Sequence, residues 1–109
     1  GRTTWIYAYF GEPVYLYSAI FAPTNFDTSI VHRWQKYDEA RRAWVNASVV
    51  SFPIIGGRDN GYRGYSFKSN ITPGLWRVKI ETVRGQVMGL VKFKVEYVEE
   101  EPQLITKSL

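Results

Sequence analysis

Apolar and polar residues alternate with a period of two through most of the chain, and clusters of turn-forming residues cut the pattern into runs of similar length. Side chains two apart share a face in an extended strand, so the pattern offers no convincing helix and predicts sheets with one buried face. Seven strands are expected, over 4–10, 14–21, 30–36, 43–51, 62–69, 75–83 and 86–96. In the sixth run Trp76, Val78 and Ile80 share one face while Arg77, Lys79 and Glu81 share the other. In the seventh, Val91, Phe93 and Val95 oppose Lys92 and Lys94. The first member of each contrast is the core face.

The breaks have chemical causes. Gly11 and Pro13 bend the first connection, and Pro23, Thr24, Asn25 and Asp27 make a polar loop. Pro73-Gly74 and Arg84-Gly85 mark two more turns, the second joining two strong strands as a hairpin. In the third run Ile30, His32 and Trp34 share a face. A Trp on a central strand, held between two sheets, is a mark of immunoglobulin-like sandwiches. The expected fold is therefore all-β, an immunoglobulin-like antiparallel β-sandwich of about seven strands. The chain has no cysteine, so that core must close without a disulfide.

At 109 residues the chain suits one domain, with aromatic residues at 17% furnishing a core of large rings. The domain is assigned to residues 1–97, and the acidic stretch 98–109 to a flexible tail. Charge is uneven. The formal net charge is +4, but the last fourteen residues hold Glu96, Glu99, Glu100 and Glu101 against Lys107, leaving residues 1–95 at about +7. A basic surface favours phosphates, acidic polymers or anionic lipid. The start at Gly1 reads as an excised fragment, with no apolar run long enough to span a bilayer.

Catalytic groups are few. His32 is the only histidine, and the carboxylates show no metal-ligand spacing around it, so it reads as a hydrogen-bonded structural residue and no metal is expected. Ser66 and Lys68 lie two apart rather than three, and "GGRDNGYRG" lacks the lysine and the strand-to-helix context of a phosphate loop. The chain is read as non-enzymatic, with no cofactor. Asn46-Ala47-Ser48 and Asn70-Ile71-Thr72 match the glycosylation pattern and are treated as incidental.

The stretch "IIGGRDNGYRGYSFK" supplies the candidate site. Gly57 and Gly61 shape the turn, and Arg58, Arg63 and Lys68 offer cations to an anion, with Tyr62 or Tyr65 as a stacking ring. The competing reading has an arginine tethering the loop to a carboxylate or carbonyl. Tyr7, Tyr9, Tyr15 and Tyr17 alternate on the first two strands and are expected to form a ladder across one sheet face. Cross-strand pairing alone explains such a ladder, and a carbohydrate-binding platform is the functional alternative.

The segments "LYSAIFAPTNF", "VHRWQ", "GGRDNGYRGYSFK" and "PGLWRVKIETVRGQVMGLVKFKV" together resemble the bacterial family called domain of unknown function 2914, over roughly residues 14–97. The matching positions include His32, Trp34, Gly57, Arg58, Gly61, Arg63, Ser66, Lys68, Gly74, Trp76 and Gly85. The resemblance implies the C-terminal soluble head of a multi-pass bacterial membrane protein, with the extracytoplasmic side favoured. It brings no activity and no cofactor. Its implied partners are the protein's own transmembrane region or another envelope protein, with an anionic glycan as the alternative; nucleic acid is not expected, since no diagnostic motif for it occurs.

Overall fold

The computed structural model describes residues 4–9, 12–20, 29–53, 55–56 and 62–98. These form two facing sheets. The strands are β1 Thr4–Tyr9, β2 Val14–Ile20, β3 Ser29–Asp38, β4 Ala43–Pro53, β5 Ile55–Gly56, β6 Tyr62–Lys68, β7 Gly74–Thr82 and β8 Val87–Val98. Each of the seven predicted runs has a counterpart, and the addition is the two-residue β5. The five-stranded sheet has the order β1-β8-β7-β3-β4, and the three-stranded sheet the order β2-β6-β5. All neighbours are antiparallel except β1 and β8, which run parallel from Thr4 opposite Phe93 to Tyr9 opposite Val98.

Between the sheets lies one core cluster of Trp34, Ile71, Trp76, Val78, Phe93 and Val95, with Val14, Leu16, Val91 and Tyr97 packed against it. Trp34, Trp76, Val78, Val91, Phe93 and Val95 are residues that strand alternation assigns to the inner face, and Ile71 is added from the β6–β7 connection. Trp34 is fully buried and meets Phe93 edge-on, with ring centroids 6.3 Å apart and planes at 83°. That edge-to-face geometry sets the positive ring edge against the negative face.

Two details replace the usual cross-links of such a sandwich. The Trp76 indole N–H donates to the Thr72 carbonyl at 2.7 Å, tying the start of β7 to the preceding connection. A tyrosine hydroxyl commonly makes this tether in immunoglobulin domains, two residues before the second cysteine. Here Val78, fully buried, stands two residues after Trp76. The chain therefore fills with aliphatic packing a region that a disulfide otherwise joins.

The β7–β8 hairpin is as expected. Gly85 donates its N–H to the Thr82 carbonyl at 2.9 Å and adopts a φ of 91°, a left-handed conformation that a side chain would strain. The β3–β4 register slips between Trp34 and Gln35, leaving Ala47 as an extra residue on β4.

Candidate functional site

Strand β2 lies antiparallel to β6, with Tyr15 opposite Phe67 and Tyr17 opposite Tyr65. Residues of one parity on these strands point inward: Leu16 packs on the core and Ser66 is buried. The other parity must face solvent. Tyr15, Tyr17, Tyr65 and Phe67 accordingly stand 51%, 73%, 58% and 52% exposed, four rings on the outer face of the three-stranded sheet. Their centroids lie 5.5 Å apart for Tyr15 and Phe67, 5.7 Å for Tyr17 and Tyr65, and 6.4 Å for Tyr15 and Tyr17. Planes differ by 19° to 40°, so Tyr15 and Tyr17 stack and the other pairs tilt against one another rather than meeting edge-on, giving one contiguous aromatic platform.

This corrects the expected ladder. Tyr7 and Tyr9 belong to β1, which pairs with β8 in the other sheet, so they cannot continue a row from Tyr15 and Tyr17. The partners of Tyr15 and Tyr17 come instead from β6, Phe67 and Tyr65 lying 52 and 48 residues further along the chain. Phe67 was absent from the sequence-based site. The signal for it was the same ring-x-ring spacing on β6 as on β2.

Beneath the platform the two sheets are joined by a polar cluster. His32 is fully buried on β3, its Nε2 2.9 Å from Ser18 Oγ on β2 and its Nδ1 2.7 Å from Ser66 Oγ on β6. The Trp34 indole N–H donates to the same Ser66 Oγ at 2.9 Å. A hydroxyl can donate or accept, so both ring nitrogens of a neutral His32 are satisfied in either tautomer. Burial penalises the charged imidazolium and lowers the His32 pKa from 6.5 to about 4. His32 is thus a neutral structural residue under physiological conditions.

Gly57, Arg58 and Gly61 lie outside the described residues, as do the side chains of Tyr62 and Arg63, whose backbones pair with Ile20 and Ala19 on β2. Tyr65 joins the platform. Lys68 has the opposite parity on the same strand and does not share the Tyr65 face. Its Nζ donates to the Ser69 carbonyl at 3.1 Å, and it lines a separate cleft of about 730 Å3 at the end of the sandwich, with Lys36, Asn46, Asn70 and Trp76. Lys36 donates to Thr72 Oγ1 at 2.6 Å in that cleft and sits 5.8 Å from the Trp76 ring centre. Glycine is favoured at position 74, because its φ of 135° is a conformation that side chains rarely adopt. No group of three or more metal-ligating side chains occurs among the described residues.

The sheets, the central buried Trp and the tether at the start of β7 define an immunoglobulin-like β-sandwich. The NK cell receptor NKp44, a triggering partner in natural cytotoxicity, has the same fold: the match has a TM-score of 0.59 at 13% identity and covers 90% of this chain and all of that one. No curated protein matches the chain. Residues 27–95 match the family model described as a protein of unknown function, DUF2914. The chain belongs to that family.

Proposed function

We propose that the domain is a non-enzymatic binding module whose contact surface is the aromatic platform of Tyr15, Tyr17, Tyr65 and Phe67. The observation that carries this reading is the exposure of four contiguous rings on one flat sheet face. Contiguous exposed apolar surface on a folded domain marks a contact site far more often than isolated exposed residues do. Exposed rings, three of them bearing hydroxyls at their edges, suit a ligand with C–H faces and polar edges, which favours an envelope glycan. A partner protein, or the parent's own membrane region, is the other class of occupant for the same platform. The enclosure of His32, out of reach of any substrate, supports a role without turnover. The motif resemblance supports placing the domain on a bacterial membrane protein, and of the two sides of that membrane the extracytoplasmic one is proposed.

The test is an amide NMR titration of the chain with neutral and anionic cell-wall glycan fragments, repeated on Tyr17→Ala and Tyr65→Ala. Saturable shifts on β2 and β6 are expected, lost in both variants. The rings are exposed, so each variant should lose no more than the ~1 kcal/mol of a cross-strand aromatic pair. Shifts that persist in both variants would refute the platform as the contact surface. Arg63→Ala reports on charge: if it weakens only the anionic fragments, the ligand is an anionic glycan.

A further inference from the structure

The opposite face of the sandwich carries a different surface. Alternation on the five-stranded sheet sends Arg33 of β3, Arg77 and Lys79 of β7, and Lys92 and Lys94 of β8 to the outer side, away from Trp34, Trp76 and Phe93. The register sets like charges directly opposite one another twice, Arg33 against Lys79 and Arg77 against Lys92. Directly opposed like charges destabilise a sheet. The fold offsets this only in part. Glu81 accepts from Arg33 Nε at 2.6 Å, while Arg77 donates to Gln35 Oε1 at 2.6 Å and lies 4.2 Å from the centre of the Trp44 ring. Among the described residues neither Gln35 nor Trp44 brings a negative charge to Arg77, and Glu96, opposite Tyr7, follows Lys94 by two residues on the same outer face of β8.

The same face runs into an apolar tip. Val83, Val87 and Met88 are exposed around the β7–β8 turn, beside the exposed Arg84. Leu90, 55% exposed, sits directly opposite Lys79. A flat cationic sheet ending in an apolar hairpin combines the two attractions that hold a protein at a lipid surface: charge toward anionic headgroups and apolar area for the headgroup–acyl boundary. A soluble polyanion uses the first and gains nothing from the second. The geometry points to this face as a docking surface for an anionic membrane, seated through Lys79 and Lys92 with the Val83–Met88 tip entering the interface. The aromatic platform, on the other sheet, then faces away from the lipid.

The test is flotation of the chain with vesicles of phosphatidylcholine alone and of phosphatidylcholine with phosphatidylglycerol. Retention is expected only on the anionic vesicles, weakened about fivefold by each of Lys79→Ala and Lys92→Ala, the loss of one basic side chain near a charged membrane. Val83→Asn and Met88→Asn should weaken it as well, and Tyr17→Ala should leave it unchanged. Relief of the opposed charges predicts that the lysine variants melt no lower than the parent; Lys92→Glu, at an exposed position, provides a second charge variant if one of them unfolds. Equal retention on both vesicle types, no retention on either, or lysine variants that bind as the parent would each overturn the proposal. So would full competition by polyphosphate combined with indifference to Val83→Asn, which would make the partner a soluble polyanion.

Discussion

The buried His32 predicts a specific loss of stability on mild acidification. The folded domain holds its pKa at about 4, against 6.5 for a solvated imidazole, because burial disfavours the charged ring. Between those two values the unfolded chain takes up a proton that the folded chain refuses. Stability from this source is therefore complete above about pH 6.5 and falls as the pH drops toward about 4. The displacement corresponds to about 3 kcal/mol, a large fraction of the roughly 5–15 kcal/mol that holds a typical domain together. Urea unfolding of the parent and of His32→Asn across this range isolates the effect, since carboxylate titrations common to both chains cancel in the difference. The stability advantage of the parent should shrink by about 3 kcal/mol from the upper to the lower end of the window. A difference independent of pH, or a His32 that titrates near 6.5 in the folded chain by NMR, would refute the reasoning.

Two further outcomes follow from individual contacts. Trp76→Phe keeps most of the buried ring but removes the N–H that satisfies the Thr72 carbonyl, so a loss of about 1–3 kcal/mol is expected in thermal unfolding, whereas Thr72→Ala, which keeps that carbonyl, should not reproduce the part due to the tether. Glu81→Gln leaves Arg33 without its counter-charge beside a buried side chain and should cost about 1–2 kcal/mol by chemical denaturation, while the apolar double change Arg33→Met with Glu81→Leu should come closer to neutral.

Much of the fold is legible in the chain because the deciding signal is local. The alternation of Trp76, Val78 and Ile80 against Arg77, Lys79 and Glu81 determines which side of β7 is buried, and Arg84-Gly85 carries the only conformational freedom its hairpin needs. What is not local could not be read. Period two says that Tyr7 and Tyr15 each have a face, but not that β1 joins β8 while β2 joins β6, and that choice decides where the rings meet. Likewise His32 could be read as hydrogen-bonded and structural, yet its partners Ser18 and Ser66 lie fourteen and thirty-four residues away and identify themselves only through the pairing of three strands. The cationic face was equally hidden. Arg33 and Lys79 look like ordinary solvent-side residues of separate strands until the register places them opposite each other.

The parallel pairing of β1 with β8 also determines how the domain carries load. Thr4 lies beside Phe93 and Tyr9 beside Val98, so the outer ends of these two strands point in opposite directions along the same ladder. A pull that separates Thr4 from Val98 slides one strand along the other and strains all six paired positions together. An antiparallel hairpin such as β7–β8, pulled at its open ends, would instead unzip one rung at a time. Tension between the two ends of this domain thus meets the arrangement of strands best suited to resist it, with Phe93 and Val95 anchored in the core directly behind the ladder.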